Sequence, residues 1–146
     1  MIRELERLGR AGQRVVGLVD EDPSAAWPRC FRERFSHVRQ SGHGFSVWRG
    51  PGNSYLIVLH PLHEAWVYSV ARRHGLDVSS YRLPLRWETF HARLHVGRRS
   101  RERLTRSYVR LISDLLERGC EALISLKSEI KRLLGEGESP GAERAC

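Results

Sequence analysis

Apolar and polar positions along this chain follow two periods, which predict strands in its first half and helices on both sides of them. The segment 2–8 has apolar residues three positions apart, typical of a short helix. The runs at 14–19, 44–48 and 55–60 are apolar and rich in β-branched or aromatic residues, typical of strands. The connector at 49–54 is too short for a parallel crossover, so the second and third strands run antiparallel if they pair as a hairpin.

Two further helices are predicted around these strands. Residues 24–38 have a helical apolar period that follows Ser24, a residue type that caps helices well. Residues 62–74 repeat apolar side chains every four positions, and Gly75 provides a natural stop. The helix at 24–38 therefore follows the first strand directly, and the helix at 62–74 follows the third strand.

The chain from about 87 to 134 is helical by pattern, with breaks expected at Gly97 and Gly119. One apolar seam runs along its middle segment with helical spacing. Its members are Leu104, Tyr108, Leu111 and Leu115.

This order of elements predicts an α/β fold with helices packed on a sheet. We expect a single domain over 1–134, made of a core at about 14–84 and a helical region at about 87–134. Residues 135–146 have no apolar period and are expected to be a disordered tail.

The formal net charge of +8 comes almost entirely from arginine, since Lys127 and Lys131 are the only lysines. A basic, arginine-rich chain favours an anionic partner, with nucleic acid first. A codon-driven preference for arginine explains the same composition, so charge alone does not decide. Three widely spaced cysteines and the lack of an apolar membrane-length stretch predict a reduced, cytoplasmic protein with no membrane segment.

Three consecutive carboxylates, Asp20, Glu21 and Asp22, stand at the end of the first predicted strand. Alternation along an extended chain sends Asp20 and Asp22 to one side and Glu21 to the other. Two carboxylates on one side can share a hard cation such as Mg²⁺. The alternative is a helix-entry loop, where acids are favoured by the positive helix N-terminus.

The end of the third predicted strand is also polar, with His60, His63 and Glu64 leading into a helix. Glu64 can complete a metal site with the aspartates only if this strand runs parallel to the first one. The alternative for Glu64 is a first-turn partner of the helix dipole.

The runs VVGLVDEDPS and NSYLIVLHPLHEAWVYSVARRHGLDVSSYRLP, over about 14–84, resemble small bacterial proteins with a Toprim-like core, related to nuclease domains of the overcoming-lysogenisation-defect (OLD) type. The resemblance implies a small three-layer Toprim-like or Rossmann-like core. In it, Asp20, Asp22 and Glu64 would bind Mg²⁺ and catalyse cleavage of nucleic acid. Such cores place a strand and a glutamate before the aspartates, whereas the residues before Asp20 are helical by pattern. The resemblance therefore implies a truncated or degenerate core.

A row of arginines lies on one face of the C-terminal helical region. Arg99, Arg103, Arg106 and Arg110 recur at helical spacing and are suited to contacting phosphates. The alternative is a solvated face in which Glu102 pairs with Arg106 and Asp114 pairs with Arg110.

These features together predict a nucleic-acid-binding protein, either a Mg²⁺-dependent Toprim-like nuclease or a degenerate relative. The alternative function is a non-catalytic protein–protein interaction module. It would use the apolar seam of the C-terminal helices to bind a protein partner or a second copy.

Overall fold

The computed structural model describes residues 2–21 and 29–135. Within these ranges the chain forms a mixed α/β fold around a four-stranded sheet. The elements are α1 (Ile2–Arg10), β1 (Val15–Asp20), α2 (Arg29–Arg34), β2 (Ser36–Gln40), β3 (Phe45–Arg49), β4 (Ser54–Leu59), α3 (His63–Arg73), a 3₁₀ turn (Val78–Tyr81), α4 (Trp87–Leu94), α5 (Arg98–Glu117) and α6 (Glu121–Leu134).

The strand order is β1-β4-β3-β2, so β1 and β2 form the two edges of the sheet. The two strands joined by the short connector do form a hairpin: β3 and β4 pair antiparallel, with Phe45 opposite Leu59. β4 also pairs with β1, and this pair is parallel, with Val15 opposite Ser54 and Asp20 opposite Leu59. The carboxyl ends of β1 and β4 therefore meet at the same end of the sheet.

The helix predicted over 24–38 is wrong in its second half. Helix α2 ends at Arg34, and 36–40 form strand β2, which pairs with β3 across an irregular step between His37 and Arg39. Every residue of β2 is exposed, so no apolar alternation marks this strand in the sequence. Pairing with β3 overrides the local helical preference. Ser24, the predicted cap, lies outside the described residues.

The other predicted helices are confirmed, as are their stops. Gly75, Gly97 and Gly119 all have positive φ, between 65° and 74°, which a glycine adopts without the steric cost of a Cβ. They separate α3, α4, α5 and α6 at the expected places. No helix in the described ranges is long and apolar enough to cross a membrane.

Alternate residues of β4 point to opposite faces of the sheet, and each face has its own core. Leu56 and Val58 pack with Leu5 of α1 and with Phe31 and Phe35 of α2. Ile57 and Leu59 face the larger core, which α3, α4, α5 and α6 complete. The sheet is thus a layer between two sets of helices.

The apolar seam of α5 is buried in this larger core. Leu104, Tyr108, Leu111 and Leu115 are all at most 7% exposed. These side chains already pack within their own chain, so the seam is not a surface on which a partner can dock. A partner of the C-terminal helices would have to use another face.

Candidate functional site

The acidic end of β1 lies next to the start of α3, because β1 and β4 are parallel neighbours. This is the arrangement that a composite site of Asp20 and Glu64 requires. Asp20 is exposed, and its charge acts on His63, the first residue of α3. Asp22 lies outside the described residues.

Glu64, at the start of α3, contacts helix α4. Its Oε1 lies 3.3 Å from Nδ1 of His91 on α4, and its side chain is only 12% exposed. Its Oε2 is buried and has no hydrogen-bond partner among the described residues. Within 2–21 and 29–135, no three His, Cys, Asp or Glu side chains are grouped so as to hold a metal ion.

Aromatic and imidazole groups lie around the Glu64 carboxylate. Burial lowers the pKa of His63, although the charges of Glu64 and Asp20 act in the opposite direction. Burial, and then the charge of Glu64, raise the pKa of the Tyr108 phenol, whose oxygen lies 3.3 Å from Nδ1 of His63. The same two causes raise the pKa of Tyr68. The Glu64 carboxylate is therefore largely shielded from water, beside imidazole and phenol groups of α3, α4 and α5.

Sequence reasoning missed a hydrogen-bonded chain on the other face of the sheet. Glu21 Oε2 lies 2.6 Å from Nδ1 of His60, and Nε2 of His60 lies 2.9 Å from Oγ of Ser46. Trp48 donates its indole N–H to the same Oγ at 3.0 Å. Alternation correctly placed Glu21 away from Asp20, but the partners of Glu21 are distant in sequence, so no local pattern marks them.

These hydrogen-bonded side chains have the acid–imidazole–hydroxyl order of a hydrolase triad, yet they cannot perform that chemistry as folded. Ser46 is 1% exposed, so a substrate carbonyl cannot reach its hydroxyl. Its oxygen already accepts a hydrogen bond from Trp48. These hydrogen bonds instead connect the ends of β1 and β4 to β3 and satisfy the buried hydroxyl of Ser46.

The arginine row on α5 is exposed along its whole length. Arg99, Arg103, Arg106 and Arg110 are all exposed and lie on the side of α5 that faces away from the buried seam.

The intrahelical partners predicted for this row are engaged elsewhere. Glu102 pairs with Arg98 at 3.0 Å, and Asp114 accepts a hydrogen bond from the Tyr81 hydroxyl at 2.6 Å. In the described part of the chain, no carboxylate lies within ion-pair distance of the four arginines. Among the described residues, the row is therefore a positive surface without ion-paired carboxylates, on a helix that the core holds in place.

No protein-family model matches this sequence, and no curated protein or solved structure is significantly similar to it. The relationship to Toprim-like and OLD-type proteins thus stays a prediction.

Proposed function

We propose that this protein binds nucleic acid through the arginine row of α5. The observation that carries the proposal is that Arg99, Arg103, Arg106 and Arg110 are exposed on one face, with no carboxylate paired to them in the described residues. At a rise of 1.5 Å per residue, the row is about 17 Å long.

The rest of the molecule supports this use of α5. The opposite side of the helix is fixed by Leu111 and Leu115, which are fully buried. The backbone that carries the arginines is therefore already ordered before a nucleic acid binds. The net charge of +8 adds a long-range attraction for a polyanion. Guanidinium groups also suit the geometry of phosphate oxygens.

The experiment is a salt titration of binding to labelled DNA and RNA oligonucleotides, single- and double-stranded, followed by fluorescence anisotropy. The double variant Arg103→Gln/Arg106→Gln should weaken binding to all sequences. Its plot of log affinity against log salt should be shallower by about 0.9 for each lost contact with duplex DNA, or about 0.7 with single strands. The matched control is Arg72→Gln/Arg73→Gln, which removes two exposed arginines from α3.

If the α3 control loses as much affinity and slope as the α5 variant, binding depends on total charge and the proposed interface is wrong. If the unmutated protein binds none of these oligonucleotides at low salt, the function itself is wrong.

A reduced Toprim-like or Rossmann-like core with Mg²⁺-dependent cleavage is the finer form of this proposal. The parallel neighbours β1 and β4 support it, because they bring Asp20 close to the start of α3. The Glu64 carboxylate is largely buried and contacts His91, so a metal would have to compete with this contact. We therefore assign no catalytic step to a metal.

Cleavage is tested separately from binding. The unmutated protein, Asp20→Asn and Glu64→Gln are incubated with DNA and RNA in Mg²⁺ and in chelator. Mg²⁺-dependent products that Asp20→Asn abolishes would support the nuclease. Intact substrates throughout would reject the nuclease and leave the binding proposal standing.

A further inference from the structure

The two edges of the sheet differ in how well they resist pairing with another strand. Edge strand β2 is polar, fully exposed and interrupted by an irregular step, which are features that discourage pairing. Edge strand β1, with the sequence VVGLVD, is regular and apolar and contains no Lys or Pro. In the described part of the chain, no strand pairs with its outer side, and Leu18 on it is 43% exposed.

The outer side of β1 presents a regular row of backbone groups. The Val15 N–H donates to Asn53 at 3.1 Å and the Glu21 N–H donates to Leu59 at 2.8 Å, so the odd-numbered residues face β4. Because backbone groups alternate along a strand, Val16, Leu18 and Asp20 direct theirs outward.

The charges at the two ends of this strand are complementary to each other. Arg14 precedes the strand and Asp20 ends it. If a second β1 pairs antiparallel, with Gly17 opposite Gly17, Arg14 of each copy lies opposite Asp20 of the other, and Val16 lies opposite Leu18. All four positions are even-numbered. In this register their side chains therefore lie on one face of the sheet, and their backbone groups point to the outer edge.

We propose that two copies of this chain form a symmetric dimer by antiparallel pairing of their β1 strands, which makes one continuous eight-stranded sheet. Such a contact is isologous, and each copy contributes the same surface. It differs from a dimer through the α5 seam, which is buried. It also places Asp20 against an arginine of the second copy, a role that competes with metal binding.

The surroundings of β1 fit an added strand. A groove along its edge is lined by Leu5 and Leu8 of α1 and by Leu134 at the end of α6, as well as by Leu18. Leu134 is 36% exposed, so both it and Leu18 present apolar surface that a second copy would cover. The Arg14 guanidinium lies beside Gly135 at the same groove.

The first test measures mass by sedimentation over a range of protein concentrations. The unmutated chain should reach twice its mass of 16.8 kDa. Leu18→Lys should raise the dimer dissociation constant at least about tenfold, because it places a charge in the pairing surface. The matched control, Val38→Lys, changes a residue on the opposite edge that is 52% exposed and should leave the dimer intact. Circular dichroism checks that both variants are folded.

The second test exchanges the charges. Arg14→Asp and Asp20→Arg should each weaken the dimer, whereas a mixture of the two variants should form heterodimers. The chain that carries both changes should dimerise again with itself.

Three results would overturn the proposal. One is an unmutated chain that stays monomeric at all concentrations. This outcome includes a monomer in which the amide hydrogens of Val16 and Leu18 exchange slowly, which would mean that residues 136–146 of the same copy cover the edge. Another is a dimer that Leu18→Lys and Val38→Lys affect equally. The third is a lack of rescue by the exchanged charges.

Discussion

Glu129 offers the sharpest test of how this fold is held together, because its carboxylate is buried between two arginines from different elements. The side chain of Glu129, on α6, is 3% exposed. It accepts hydrogen bonds from Arg39 of β2 at 2.6 Å and from Arg132 at 2.7 Å and 3.2 Å. The arginine side chains are 52% and 60% exposed, so water can solvate them if the carboxylate is removed.

The magnitudes follow from this asymmetry. A hydrogen bond to a charged group contributes about 1.5–3 kcal/mol, and the exposure of the arginines reduces this, so Arg39→Met and Arg132→Met should each cost about 1 kcal/mol. The double variant leaves a buried carboxylate with no cation, and its cost should exceed the sum by about 1–3 kcal/mol. Adding Glu129→Gln to the double variant should restore part of the loss.

The assay is urea unfolding followed by circular dichroism, with the free energy of unfolding extrapolated at a common m value. Met is chosen because it keeps an apolar stem of similar length and removes only the guanidinium. Additivity of the two single variants within about 0.3 kcal/mol would show that Glu129 is solvated and would refute this reasoning.

Two further predictions test the sheet and the core around Glu64. Gly17→Val should destabilise the fold by about 1–3 kcal/mol in the same urea assay, because a Cβ at this position would overlap the Leu5 side chain that packs on β1; an unchanged midpoint would mean that α1 does not pack there. The lowered pKa of buried His63 means that the unfolded chain takes up a proton below about pH 6.5 while the folded chain does not. The free energy of unfolding should therefore fall as the pH drops below that value. This fall should be smaller in His63→Gln than in the exposed control His74→Gln. If the free energy of unfolding depends equally on pH in both variants, that result would count against the burial of His63.

The features of the fold that were predicted correctly from sequence are those that local chemistry decides. The connector at 49–54 is short and rich in turn residues, so it allows only a hairpin between β3 and β4. Glycines at 75, 97 and 119 end helices because they adopt positive φ readily, and a four-residue apolar period marks α3. The strand that ends at Asp20 and the exposed arginine row on α5 belong to the same group. Each of these signals lies within one short, continuous segment of the sequence.

The features that sequence alone left open, or that were predicted wrongly, depend on partners far along the chain. Strand β2 exists because β3 lies beside it, and the carboxylates of Glu21 and Glu64 are directed by His60 and His91. The parallel pairing of β1 with β4 is likewise a long-range choice.

The amino-acid sequence by itself determined most of the strands and helices, with β2 as the exception, as well as where most of them end and which face of α5 is basic. Only the tertiary structure decided which residues meet: that the apolar seam is buried, that Glu102 and Asp114 are paired away from the arginine row, and that no strand within 2–21 and 29–135 covers the outer side of β1. The physical reason is that periodicity records the environment of a residue, buried or exposed, but not the identity of its neighbour. A charged side chain has several partners within reach, and packing of the whole chain selects among them.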